Sequence, residues 1–528
     1  MNMANVIQTI APRRKWLRIV IITLSLLLIL LAADMIWVRV WRHIPIGYNT
    51  TRLTGPLRPD GLVNYAAALD SKYGKGITPE NNAVPLLIEA TGSLSTDRDA
   101  LFQAYRKTLF ARLRIKTPVT KSGFHSYYQW GNLKLGHGLT NEQWNAEITR
   151  ADPSFRLHPW TTKEFPLAAQ WVRANALPLK LMREAVNRPF YYFPIVRFRY
   201  VNEANYFLGN FWAIASAAAA RAMFRLGHGN TAGTVSDINT DMRLATLMSQ
   251  APSLIAWLDA NSVGYLALQA EAAAAGTGLL SRNQLETLLQ NTLSRRAILP
   301  LTLQLKFQRF DGLAFLERAS RHGIRTLRTE FTPKNPNGPP KTPTLSAQLM
   351  DAVIPVNFAS SMRRENRFYD QLTSALDNRP FLRRTVALNA LYREVVRSVS
   401  ARPILRWTNP VGAQLANMAA SARGVLNNLP EENIMLRRIT VLAVDLAIYK
   451  CDHGHYPKKL SALAPKYVKT IPLDSFTGKP LKYHLLNHGQ SYLLYSFGLN
   501  GVDNGGKNSG TGVGNDDIAV RGGPAVLK

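Results

Sequence analysis

Apolar positions recur with helical spacing along most of this 528-residue chain. Residues 203–297 are the clearest block. An alanine-rich stretch runs to Gly227-His-Gly229, a second helical stretch reaches about Gln250, and Pro252 opens a third. Leu436 to Lys450 has the same period. Gly454-His-Tyr-Pro457 breaks it, and Tyr483 to Tyr495 alternates as paired strands do. Upstream, Thr78-Pro79-Glu80-Asn81 predicts a helix start with Pro79 at the first helical position. Prolines 333, 336, 339, 340 and 343 predict an exposed loop over 330–346, with helices resuming by about Leu345. At the other end, Ile19–Ala33 is uncharged and rich in Leu and Ile. With its flanks (17–38) it reaches ~20 residues, enough for a bilayer.

These patterns predict a mainly α fold: one N-terminal membrane helix, an irregular repeat-like α-helical array and a small α+β C-terminal domain. The expected boundaries are 1–43, 44–200, 201–430 and 431–528. The stretch "ARAMFRLGHGN" is similar to the helix-turn-helix of tetratricopeptide-type repeats, but only about one and a half units are visible, so a regular solenoid is not expected.

Arg13, Arg14, Lys15 and Arg18 precede the apolar run, and Trp16, Trp37 and Trp41 flank it. Basic residues on the N-terminal side and interfacial tryptophans predict an uncleaved signal anchor with a cytoplasmic N-terminus. The rivals are a cleaved signal peptide, for which Ala32-Ala33-Asp34 gives small residues but no clear Ala-x-Ala site, and a buried core helix. The anchored reading implies a single-pass inner-membrane protein with its C-terminal bulk in the periplasm.

Net charge is +30. Residues 431–528 hold 12 Lys+Arg against 8 Asp+Glu, leaving 52 against 26 elsewhere, so the excess lies upstream. Nucleic acid, an anionic envelope surface, and adaptation to an acidic or salty medium compete to explain it. The basic residues are scattered and no nucleic-acid-binding motif is present, so no nucleic-acid partner is expected. The expected partners are the membrane, through residues 17–38, and a protein or anionic envelope polymer. Arg379, Arg383, Arg384, Arg393, Arg397, Arg402 and Arg406 crowd one stretch, which reads as a solvated helix face or as a polymer-binding surface. Cys451 is the only cysteine, which excludes an intrachain disulfide.

The last hundred residues carry the most chemistry. Tyr495-Ser-Phe-Gly-Leu-Asn-Gly-Val-Asp-Asn-Gly-Gly506 leads through a Gly/Ser stretch to Asn515-Asp516-Asp517-Ile518. Carboxylates on glycine-rich backbone, where carbonyls can turn inward, suit a hard cation with six to eight oxygen ligands, which means calcium. Asp503 with Asp516 or Asp517 is expected to converge on one ion, with Ser496 and Asn500 adding backbone or side-chain oxygen. Neutral Asn504, Asn508 and Asn515 lower the charge, so the ion should be held weakly, at ~10⁻⁴ to 10⁻³ M. A flexible glycine turn with solubilising acids is the alternative.

This tail resembles the C-terminal globular domain of the major pseudopilins of type II secretion systems. "LAVDLAIYKCDHGHYPKKLSAL" (442–463) is similar to the pilin helix end and its Gly-x-Tyr-Pro exit. "IPLDSFTGKPLKYHLL" (471–486) is similar to the Asp-Pro-Trp-Gly-x-Pro-Tyr segment, and "YLLYSFGLNGVDNGG…NDDI" (492–518) to the calcium loop. The resemblance covers about 90 residues and implies an α+β domain that holds calcium. One departure is plain: no Gly-Phe-Thr-Leu-x-Glu processing site precedes the apolar run. The resemblance therefore implies a pseudopilin-like cap rather than a filament subunit. The chain as a whole resembles membrane-anchored envelope proteins of planctomycete-like bacteria to which no activity is attached.

His-Glu-x-x-His, Gly-x-Ser-x-Gly, Walker A and Gly-x-Gly-x-x-Gly motifs are absent. Cys451-Asp452-His453-Gly454-His455 has metal-ligand residue types but falls on the Gly-x-Tyr-Pro turn, where a structural role is expected. Tyr127, Tyr128, Trp130, Trp160, Trp171 and Phe190 to Phe193 fill a core or line a groove, and Glu164, Glu184 and Glu203 lie among them. The function expected is that of a membrane-anchored extracytoplasmic binding or scaffold protein, non-enzymatic and associated with a secretion or pilus-like apparatus. The alternative is a hydrolase acting on envelope polymer through the aromatic region 124–200.

Overall fold

Helix ends in this chain are set by local capping. Ser126 caps the helix Tyr127–Lys134 with a reciprocal Ser–Gln129 box. Asn230 and Ser253 each accept an N–H from the first turn of the helix they begin. Pro166 occupies the first position of another, where its missing N–H costs nothing.

The computed structural model describes residues 20–30, 33, 43–92, 100–115, 123–135, 138–151, 154–196, 205–294, 301–323, 356–377, 380–400, 410–508 and 516–523. The elements are α1 (Tyr65–Tyr73), α2 (Val84–Thr91), α3 (Ala100–Leu113), α4 (Tyr127–Lys134), α5 (Asn141–Ala151), α6 (Ser154–Leu157), α7 (Pro166–Ala174) and α8 (Ala176–Ala185). They continue with α9 (Asn205–Gly227), α10 (Thr231–Met248), α11 (Leu254–Gly276), α12 (Arg282–Ser294), α13 (Thr302–His322), α14 (Phe358–Leu376), α15 (Phe381–Ser400) and α16 (Pro410–His453). Three strands follow: β1 (Lys482–Leu486), β2 (Ser491–Ser496) and β3 (Ile518–Gly522). The chain is mainly α-helical with a small C-terminal sheet of antiparallel order β1-β2-β3.

The anchor expectation is corrected. Among the described residues no helix is long and apolar enough to cross a membrane. The described helical part of the apolar run covers residues 20–30, ~16 Å at 1.5 Å per residue, against a hydrocarbon core of ~30 Å. The uncharged stretch is bounded by Arg18 and Asp34, which limits it to ~22 Å even as unbroken helix. The signal anchor, the membrane contact through 17–38, the single-pass inner-membrane placement and the membrane-anchored scaffold function fall with it. The Pro-rich segment 330–346 lies outside the described residues.

The chain divides into two units, each drawn from separated segments. The smaller comprises 1–65, 309–371 and 390–420. Polar side chains organise it. Asn366 donates to the Asn49 and Thr50 carbonyls, Tyr65 Oη donates to the Thr51 carbonyl, and Arg309 pairs with Asp370 at 2.7 Å. Glu317 and Glu365 are buried within it. Burial pushes Glu317 up to about 7 and Glu365 up to about 8, the latter also raised by Asp311 and opposed by Arg309.

The larger unit comprises 66–308, 372–389 and 421–528. Ala217 to Ala220 of α9 are buried, and these small side chains let α10 and α11 approach closely. Asp237 of α10 is fully buried. Its carboxylate accepts from Arg221 Nε (2.9 Å) and Nη2 (2.7 Å), Arg225 Nη1 (2.8 Å) and Arg183 Nη2 (3.0 Å). A second core joins α11, α15, α16 and the sheet through Leu268, Phe381, Leu442, Tyr492 and Val520. Gly276 permits this junction. A Cβ there would stand 2.4 Å from the Arg521 carbonyl oxygen, and the Gly276 carbonyl accepts the Gly523 N–H at 2.7 Å.

The aromatic region packs mostly as a core, with Tyr128 and Phe190 left exposed, which corrects the polymer-hydrolase alternative. Tyr127 meets Trp144, Phe155 and Trp171 at centroid distances of 5.0, 5.2 and 5.1 Å. Trp160 and Trp171 are buried, with indole N–H groups donated to the Phe155 and His125 carbonyls. Such rings gain most from mutual edge-to-face packing. Glu164 accepts the Thr161 N–H and hydroxyl at a turn, Glu184 is exposed beside Lys180, and Glu203 lies outside the described residues.

Candidate functional site

The loop between β2 and β3 is built from its roots. Ser496 is fully buried at the end of β2 and its Oγ accepts the Gly498 N–H at 3.3 Å. Asp474, also fully buried, accepts the Phe497 N–H through Oδ2 and the Phe476 and Thr477 N–H groups through Oδ1. One carboxylate thus ties the loop root to the turn before β1. Gly498 sits at φ 66°, and a Cβ there would lie 2.0 Å from the Asp516 carbonyl oxygen. Only glycine serves there, since it meets both demands.

The acids divide into two kinds. Asp503 is satisfied: Oδ1 accepts from Tyr495 Oη (2.9 Å) and the Gly505 N–H (3.0 Å), and Oδ2 lies 3.5 Å from Lys482 Nζ. The Gly505 N–H, then Tyr495 and Lys482, hold its carboxyl below the usual carboxylate range. Asp516 and Asp517 are half satisfied. Asp516 Oδ2 accepts the Asn500 N–H at 2.8 Å, and Asp517 Oδ2 accepts the Gly506 N–H at 2.7 Å and the Asn504 N–H at 3.1 Å. The Oδ1 atom of each is buried without a hydrogen-bond partner among the described residues. Burial raises the Asp517 carboxyl, as do the charges of Asp503 and Asp516, while the Gly506 and Asn504 N–H groups oppose them.

Of the five residues expected to hold a cation, Asp516 and Asp517 present free oxygens and Asp503 is directed to Tyr495 and Lys482. Asn500 shapes the loop: its Oδ1 accepts the Val502 N–H at 2.6 Å. Ser496 Oγ is committed to Gly498. Among the described residues no group of three or more His, Cys, Asp or Glu side chains is placed to hold a metal ion. The Gly/Ser stretch 509–515, with Asn515, lies outside the described residues. Two buried carboxylate oxygens lacking donors still fit a hard cation, because an unpaired buried oxygen is costly and a cation offsets that cost.

Two contributors escaped the sequence reading. Glu432 of α16 has its carboxyl raised by burial and then by the Asp516 charge, so a further acid faces this loop. Asp474 was visible only as part of a motif. The Glu431-Glu432 pair, acidic in a basic chain, was the one available signal for the first.

The Cys451–His455 cluster serves the helix end. Gly454 N–H donates to the Lys450 carbonyl, and His455 Nδ1 lies 3.0 Å from the Tyr456 carbonyl. Asp452 pairs with Arg282 and accepts from Tyr467 Oη at 2.7 Å. Arg384, from the arginine-rich stretch, points inward to Asn427 and Glu431 of α16. No family model, curated protein or solved structure matches the chain.

Proposed function

We propose that residues 431–528 are a pseudopilin-like α+β cap and that the loop from Ser496 to Asp517 binds calcium, which makes this a calcium-stabilised binding protein rather than an enzyme. The observation that carries the reading is the pair of buried Oδ1 atoms of Asp516 and Asp517, unpartnered among the described residues. The order of elements supports it: helix, glycine-containing exit, antiparallel β1 and β2, glycine-rich loop, β3. Asp516 and Asp517 would hold the ion. Calcium would offset the burial that raises Asp517 and the smaller push from the Asp503 and Asp516 charges, and Asp503 would join only by leaving Tyr495 and Lys482. A non-catalytic role is favoured because Glu164, Glu184, Asp452 and His455 are each engaged in a turn contact, ion pair or helix-end contact.

The test is thermal melting of the full chain in 10 mM calcium, 10 mM magnesium and chelator. With Kd of ~10⁻³ to 10⁻⁴ M, calcium should add about 1.4 to 2.7 kcal/mol of stability by mass action. Asp517→Asn should abolish the increment. Unchanged melting in calcium, or an equal effect of magnesium, would sink the proposal.

A further inference from the structure

A cleft of about 250 Å³ opens between α1, the turn that follows it and the C-terminal end of α3. Its polar wall is preorganised around Asp70. Asp70 Oδ1 accepts Tyr192 Oη at 2.6 Å and the Ile195 N–H at 2.8 Å, and Oδ2 takes Arg112 Nη2 at 2.6 Å. Burial and the Asp70 contact raise the Tyr192 phenol, so it stays a donor. The Asp70 charge is thereby matched by Arg112, whose other guanidinium nitrogens have no partner among the described residues. Lys75 lines the same cleft, is exposed, and makes no ion pair or hydrogen bond among the described residues. The described charged residues of the lining, Asp70, Arg112 and Lys75, thus leave one positive charge uncompensated beside a guanidinium held by Asp70.

The rest of the lining is mixed: polar Ser71, Thr78 and Asn82 alternate with apolar Ile77, Leu113 and Pro194. The volume lies below the ~300–1,000 Å³ of sites for drug-sized ligands, so the occupant is small. Charge balance decides its class. A monoanion neutralises the cleft, whereas a phosphate dianion would leave an excess negative charge beside Asp70.

We propose that this cleft binds a small organic monocarboxylate. Its carboxylate sits between the Lys75 ammonium and the free edge of Arg112, and its apolar body lies against Ile77, Leu113 and Pro194. Planar carboxylates suit guanidinium donors, and the Lys75 charge adds attraction without fixed geometry. The assignment is independent of calcium binding.

The experiment titrates sodium benzoate into the full chain at low ionic strength, followed by saturation-transfer NMR, with benzyl alcohol and inorganic phosphate as comparators. Benzoate should bind, benzyl alcohol should fail to displace it, and Lys75→Gln should weaken it about ten-fold with an unchanged melting curve. Lys180→Gln, which alters an exposed lysine beside Glu184, should bind as the parent does. Absence of benzoate binding, equal binding by Lys75→Gln, or displacement by lower concentrations of phosphate than of benzoate would each overturn the assignment.

Discussion

Asp237→Asn isolates a buried electrostatic cluster of the larger unit. The side chain is fully buried and takes four guanidinium donors at 2.7 to 3.0 Å from three arginines. Asparagine keeps the shape, removes the charge and turns an amide N–H₂ toward guanidinium donors. Removing one partner of a buried ion pair costs ~3–5 kcal/mol because the other charge is left uncompensated. Here relief is at hand one turn along α10. Asp241 is fully buried with both carboxyl oxygens unpartnered among the described residues. Burial, then the Asp237 charge, raises its carboxyl, while Arg221 opposes. Losing the Asp237 charge favours ionisation of Asp241 beside Arg221, so the single variant should cost ~3 kcal/mol, the low end. Asp241→Asn alone removes a charge that burial already disfavours and should cost about 1 kcal/mol or less. The double variant loses the substitute charge and should exceed the sum of the singles by ~1–2 kcal/mol. Urea unfolding reads all three as midpoint shifts, ~1–1.5 M for Asp237→Asn at a slope of ~2–3 kcal/mol/M. A loss below about 1 kcal/mol for Asp237→Asn, or additivity within ~0.5 kcal/mol in the double variant, would refute the reasoning.

Glu365 carries a pH prediction. Its folded value of about 8 lies above the ordinary 4.5, so the folded state holds the proton more tightly and stability falls as pH rises from about 4.5 to about 8. Melting at pH 5, 7 and 9 should show this decline, and Glu365→Gln should reduce it to the part contributed by groups such as Glu317, raised to about 7, with a gain on the order of 5 kcal/mol at pH 9. Gly276→Val places side-chain atoms against the Arg521 carbonyl and should cost ~1–3 kcal/mol or more in denaturant unfolding. Ala218→Leu should overpack the α9 contact by ~1–3 kcal/mol in the same assay, and an unchanged midpoint would mean the helices are not close there.

What the sequence made legible was local. The small residues of 203–297 and the Gly227–Gly229 break correspond to α9 ending at Gly227 and α10 starting at Thr231. Alternation over 483–495 gives two strands because one face meets Tyr456 and Leu442 in the second core. Long-range partners were not legible. Arg384 looks like surface charge in a basic run, yet Asn427 and Glu431, distant in sequence, draw it inward. Glu432 reaches Asp516 only through the packing of α16. The apolar run near the N-terminus has the flanks of an anchor, but flanking charge and tryptophan carry no information about length. At the calcium loop, glycine spacing pointed to Asp516 and Asp517. No local pattern could show that Tyr495 and Lys482 occupy Asp503, because that depends on β1 lying beside β2.

The Gly276–Arg521 junction also sets when the larger unit can fold during translation. The α11 face that carries Leu268 and Ala272 is covered by residues of α16, β2 and β3. At elongation rates of ~5–20 residues per second, roughly 10–50 s separate the emergence of α11 from that of β3. Throughout that interval an apolar helix face waits on the ribosome for a strand not yet made. Its companion helices α9 and α10 can assemble at once, since their contacts are near in sequence, whereas closure of the sheet end is a late, long-range event. A nascent chain paused before residue 518 should therefore expose a protease-sensitive, chaperone-binding surface at α11 while α9 and α10 are already protected.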